Sequence, residues 1–171
     1  MRHPVVGFFQ AATLLLATGV AFAAANGAPP PPFTLTDTAG KEVKLADYSG
    51  KYVVLEWTNP ECPFVRSHYT SGSMQGLQKE WGAKGVVWLT INSTNQSHAE
   101  YKMPAQMRDW MTAQGAAPAA TLIDGTSGTA RAYDVRTTPQ MFVIDTSGNL
   151  VYQGAIDNKR SANPADPKTA H

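Results

Sequence analysis

The sequence predicts a single α/β domain: a mixed β-sheet with helices on both faces and a β-hairpin at its N-terminal edge. Three observations lead there. Tyr52–Trp57 and Val86–Ile91 are β-branched and aromatic runs, the composition of strands buried on both faces. Between them Phe64, Val65, Tyr69, Met74, Leu77 and Trp81 recur at helical spacing, which makes a βαβ unit with parallel strands. Finally, Gln140–Ile144 and Leu150–Gly154 flank the turn chemistry of Thr146-Ser147-Gly148-Asn149 and read as an antiparallel pair.

Taken in order, the chain begins with Met1-Arg2-His3, a short basic start followed by an apolar run from Val5 to Val20. Ala21-Phe22-Ala23 then supplies the small residues a signal peptidase reads, so residues 1–25 are expected to be a secretory signal and the mature protein to be exported. The run is interrupted by Gln10 and falls short of the ~20 residues a membrane span needs. No membrane association is expected after cleavage. Residues 26–32 read as a Pro-rich tether, extended and mobile. From residue 33 to 171 the chain reads as the domain proper. Phe33–Thr36 and Val43–Leu45 flank Asp37-Thr38-Ala39-Gly40, a hairpin at the domain edge.

Tyr52–Trp57 is stopped by Asn59-Pro60, and a helix starts near Pro63, a residue suited to the first helical turn. That helix runs to Gly82–Gly85 and is expected to bend at Ser71-Gly72-Ser73. Asn92 and Ser93 follow the second strand, at the sheet edge that carries Cys62, and read as a solvated loop or as substrate hydrogen-bonders. Pro104–Gln114 is a helix with Met107, Trp110 and Met111 as its buried stripe. Ala119–Ile123 is a short strand, and Thr129–Tyr133 one or two helical turns. After Asp157 the chain turns polar. A final helix covering one sheet face is expected to be missing, making the domain C-terminally incomplete.

Cys62 is the chain's single cysteine, set where a strand end meets a helix N-terminus. Unpaired amides and the helix dipole there favour thiolate over thiol, Arg66 acts in the same sense, and Glu61 opposes it. An odd cysteine in an exported chain is free, reactive or paired between chains; the plain alternative is a small core hydrophobe. His68, six residues on, lies on another helical side and reads as a polar helix residue. With one thiolate the chain lacks the ligand set of a copper centre, and neither a metal nor a cofactor is expected. Lys and Arg number 14 against 13 Asp and Glu, which leaves no basic surplus for nucleic acid.

The strand–turn–Cys62–helix unit, with Thr137-Thr138-Pro139 ahead of a later strand, resembles the thioredoxin-like superfamily. Cys62-Pro63-Phe64-Val65, Pro139–Asp145 and Gly154-Ala155-Ile156-Asp157 resemble more narrowly the peroxiredoxin-like redoxins, relatives of the alkyl hydroperoxide reductase/thiol-specific antioxidant group. The resemblance covers Phe33 to Asp157. It implies a thioredoxin-like fold and a cis bond before Pro139, leaving the Thr138 backbone free to pair with a substrate. It also implies an exported thiol-dependent oxidoreductase, peroxidase-like, in which Cys62 attacks a peroxide, becomes a sulfenic acid and is reduced by an external thiol. Two positions depart from the peroxiredoxin pattern: Leu55 and Asn59 stand where a proline and a threonine or serine belong. Asn59 can still donate through its amide, and Arg160 loosely matches the arginine of such sites. The alternatives are thiol–disulfide exchange through a mixed disulfide, with Val65 in place of a second cysteine, and a non-catalytic binding module.

Overall fold

A computed structural model of the chain describes residues 24–159 and 161–167. The proposed signal sequence, except for its last two residues, and Arg160 lie outside the described residues. The strands are β1 (Thr34–Asp37), β2 (Glu42–Lys44), β3 (Val53–Trp57), β4 (Val87–Asn92), β5 (Ala120–Ile123), β6 (Gln140–Ile144) and β7 (Leu150–Gly154). The helices are α1 (Pro63–Thr70), α2 (Ser73–Ala83), α3 (Pro104–Ala113) and α4 (Gly128–Ala132). The strands form one mixed sheet in the order β2-β1-β5-β4-β3-β6-β7. β3 is parallel to β4 and antiparallel to β6, and β4 is parallel to β5. The hairpin of β1 and β2 extends the edge beyond β5, as expected.

Every residue of β3 and β4 is buried, because both sheet faces are covered at the centre. Alternation divides β3 between two cores. Val53, Leu55 and Trp57 join Phe33, Tyr133, Phe142 and Leu150 on one face. Val54 faces Val65, Tyr69, Met74, Met107 and Met111 from the helices on the other. Trp57, Tyr133 and Phe142 contact one another with ring centroids 5.1–5.3 Å apart.

Two expectations need correction. The bend in the first long helix is a complete break: Gly72 sits at φ 81, ψ −1, a left-handed conformation that costs glycine little, and separates α1 from α2. The Pro-rich segment is docked. Gly27 N donates to Leu150 O at 2.7 Å, Leu150 N to Ala28 O at 2.9 Å, and Tyr133 OH to Pro31 O at 2.7 Å. After β7 no further helix or strand follows among the described residues. No described helix is long and apolar enough to cross a membrane.

Candidate functional site

Cys62 is the N-cap of α1, its backbone extended at φ −71, ψ 123, and Pro63 takes the first helical turn. The half-buried thiol donates from Sγ to the carbonyl of Thr138 at 3.1 Å. The Thr138–Pro139 bond is cis. This loop is shaped from behind by Gln140, whose Oε1 accepts from the amides of Arg136 and Thr137 at 2.9 and 3.4 Å. The structure therefore brings together Cys62, Thr138 and Pro139 of the predicted site.

Asn59 and Arg66 take other roles. Asn59 Oδ1 accepts from the Glu61 amide at 2.9 Å and its Nδ2 donates to Glu100 at 3.0 Å, so both ends of the side chain hold the loop in place. Arg66 donates through Nε to Pro60 O at 2.7 Å and pairs with Glu61. Lys102 Nζ reaches the same carboxylate at 2.6 Å. The Lys102 ammonium first, and then Arg66, holds Glu61 below the ordinary carboxylate range. The cation expected to serve Cys62 is thus engaged with Glu61. Asn92 and Ser93 are interior scaffold. Asn92 Nδ2 donates to Thr58 O at 3.1 Å, and Ser93 Oγ links Trp57 Nε1 (3.0 Å) to Asp124 Oδ2 (2.7 Å).

A cavity of about 570 Å³ opens beside Thr138 and Pro139, walled by Phe64 and His68 of α1 and by the segment after β7. His68 was expected to be an ordinary polar helix residue, yet only 4% of it is exposed. Its Nε2 lies 3.4 Å from Asp157 Oδ2, and its Nδ1 has no hydrogen-bond partner. Burial pushes the imidazole below its ordinary value of 6.5, while Asp157 pulls it back up. The i, i+4 spacing of Phe64 and His68 puts both on one side of α1, the side turned to the cavity.

Beneath α1 lies a second titratable group that the sequence hides in an apolar run. Glu56 is fully buried and accepts from Tyr69 OH (2.8 Å), Gln78 Nε2 (3.0 Å), Trp88 Nε1 (2.8 Å) and Thr90 Oγ1 (3.2 Å). Burial raises its carboxyl above the ordinary 4.5 against the pull of those four bonds. Among the described residues no three His, Cys, Asp or Glu side chains converge as a metal site.

Residues 26–153 match the family model described as AhpC/TSA. The chain belongs to the AhpC/TSA family. Its fold is that of a thioredoxin-like redoxin. An uncharacterized conserved protein from Geobacillus kaustophilus is 30% identical, with a TM-score of 0.73 over 81% of this chain and 73% of that one. A thiol:disulfide interchange protein of the thioredoxin family from Chlorobium tepidum is 26% identical, TM-score 0.61, over 86% and 99%. The exposed lipoprotein thioredoxin Etrx1 of Streptococcus pneumoniae is 25% identical, TM-score 0.60, over 81% and 99%. No curated protein is significantly similar to this AhpC/TSA chain in sequence.

Proposed function

We propose that the protein is an exported thiol–disulfide oxidoreductase that works through a mixed disulfide at Cys62. The observation that carries this reading is the 3.1 Å approach of Sγ to the Thr138 carbonyl at the edge of the Phe64–Pro139 cavity. An extended segment lying there brings its own sulfur to Cys62 and its backbone to the Thr138 loop. Cys62 thiolate attacks one sulfur of a disulfide, the old S–S bond breaks, and the second sulfur leaves as thiolate. A separate thiol then attacks the mixed disulfide and releases Cys62 reduced. Val65 stands where the second thiol of a Cys-x-x-Cys pair would be, so the resolving thiol is not carried at that position. Similarity to an interchange protein and to an exposed lipoprotein thioredoxin supports the reading, as does the signal-like pattern of residues 1–25. Export is tested by sequencing the N-terminus of secreted or periplasmic material; a start at Met1 would overturn it.

The family match favours a second reading, peroxide reduction. There Cys62 thiolate attacks a peroxide oxygen, the O–O bond breaks, and an alcohol or water leaves behind a sulfenic acid. Asn59, expected to donate to the peroxide, weighs against it, since its side chain is tied to Glu61 and Glu100, and Arg66, expected to favour the thiolate, is tied to Pro60 and Glu61. One experiment separates the two. The reduced protein is exposed in parallel to glutathione disulfide and to hydrogen peroxide, with Cys62→Ser as the blank. The exchange reading expects a glutathione adduct at Cys62 that an added thiol removes, and peroxide reactivity no faster than that of free cysteine. Rapid sulfenic acid formation without disulfide exchange would reverse the assignment.

A further inference from the structure

Glu61 stands directly before Cys62 and carries the one acidic side chain between Asn59 and Arg66. A negative charge beside a thiol disfavours the thiolate, which is the form that attacks a disulfide. Adjacent Cα atoms are about 3.8 Å apart, so this carboxylate cannot retreat more than about 10 Å from the neighbouring sulfur. That is about one Debye length at 0.1 M salt, close enough for the charge to be felt unless it is paired.

Two cations take it. Arg66 binds Oε2 from α1 while its Nε donates to Pro60 O, and Lys102 Nζ reaches Oε1 at 2.6 Å. Arg66 is local to the turn, whereas Lys102 arrives from the connection between β4 and α3, two residues before Pro104 opens that helix. Its backbone is well fixed there. The Met103 amide donates to Gln106 Oε1 at 2.8 Å, and α3 is anchored by the buried Met107 and Met111. The same connection meets the turn a second time, where Asn59 Nδ2 donates to Glu100 Oε2 at 3.0 Å. The Lys102 and Glu61 side chains are 29% and 30% exposed, so water and salt screen this pair less than one on open surface. The Lys102 ammonium is also the chief cause of the lowered Glu61 carboxyl, which keeps that group ionised and paired.

We propose that Lys102 is a positioning residue for Cys62, holding the Glu61 carboxylate together with Arg66 so that the anion next to the thiol is neutralised. The role takes Cys62 as the reacting group and in that respect rests on the exchange reading. Lys102 acts through Glu61. Arg66 alone cancels the carboxylate, and Lys102 turns the balance of the three side chains positive, which favours thiolate at the adjacent residue. The carboxylate in turn fixes the ammonium, since a lysine without a partner keeps its side chain moving in solvent.

Cys62 is the chain's single cysteine, so the mass gained on alkylation reads this residue alone. The test follows iodoacetamide alkylation of the reduced full-length protein at about pH 7 by intact mass, in about 10 mM and about 1 M salt. Wild type, Lys102→Met, Lys102→Arg, Glu61→Gln and the Glu61→Gln/Lys102→Met pair are compared. At low salt Lys102→Met is expected to react about threefold or more slowly than wild type. Lys102→Arg should restore the rate, and about 1 M salt, with its Debye length of about 3 Å, should remove most of the difference. Glu61→Gln should react faster than wild type, and in that background Lys102→Met should cost clearly less, because the ammonium has lost its anchor. Equal rates in wild type and Lys102→Met would overturn the proposal. So would a loss of the same size in the Glu61→Gln background, or one that neither salt nor arginine relieves, which is the mark of altered packing. Glutathione disulfide is offered to the wild type in parallel. A protein that alkylates but takes up no glutathione would overturn the exchange reading, and the alkylation rates would still decide the role of Lys102.

Discussion

Glu56 and His68 are both buried and both titratable, one beneath α1 and the other on it, yet their surroundings are opposites. Glu56 is surrounded by donors from β4, α1 and α2, four in all. His68 has an aspartate at one nitrogen and nothing at the other. A satisfied buried acid of this kind fixes how strands and helices meet, because each donor around it is stranded if it goes. An unsatisfied buried base costs stability and gives the fold nothing in return. The difference separates a group bound into the core from one that borders the cavity.

The largest expected effect tests the first half of that contrast. Glu56→Ala leaves the Trp88, Gln78, Tyr69 and Thr90 donors without their acceptor, and urea unfolding should show a loss of about 3 kcal/mol or more. A loss below ~1 kcal/mol would mean the network contributes little. Next comes Tyr69→Phe, which removes one donor to Glu56 and should cost about 1–2 kcal/mol in the same measurement. His68→Leu should change stability by no more than about 1 kcal/mol, or raise it, because only the long 3.4 Å contact with Asp157 is lost and a desolvated nitrogen disappears. A destabilisation as large as that of Glu56→Ala would make His68 a core residue.

The smallest effect is a pH signature with opposite signs for the two groups. Glu56 is raised in the folded state, so its contribution is complete below 4.5 and declines as pH climbs past that value. His68 is lowered, so its contribution is complete above 6.5 and declines as pH falls below it. Unfolding measured from about pH 4 to pH 8 should show the stability difference between wild type and Glu56→Gln shift against the wild type with rising pH. The difference between wild type and His68→Gln should shift against the wild type with falling pH. Parallel curves throughout would show that neither group titrates differently on folding.

Much of the fold was legible in the chain. The apolar runs of β3 and β4 carry little polar interruption, and the period of residues 64–81 is helical, so local patterning alone sets the βαβ core. The meeting of Cys62 with the Thr138–Pro139 loop came from resemblance, because nothing local to either stretch brings them together across the sheet. Helical geometry reckoned from Cys62 puts His68 on another side of α1 and says nothing of its burial. What matters is where the segment after β7 returns, and Asp157 reaches α1 only through the pairing of β6 with β7. Glu56 carried one readable signal, a carboxylate inside a run otherwise fit for burial on both faces. Asn59 owes its placement to a simpler cause. An Asn ahead of a turn bonds its own backbone two residues on, and that competes with any substrate for the side chain.

The break at Gly72 has a consequence for how the molecule breathes. Cys62, Phe64, His68 and Tyr69 all belong to α1 and its cap, eight helical residues that would be marginal on their own. The following eleven residues of α2 form a separate piece that anchors Met74 and Gln78. The left-handed residue between the two ends one helix and starts the next, so α1 is held to the sheet by its own buried side chains, Val65 and Tyr69, rather than by α2. Any loosening of α1 therefore reaches the core, because Tyr69 also donates to Glu56.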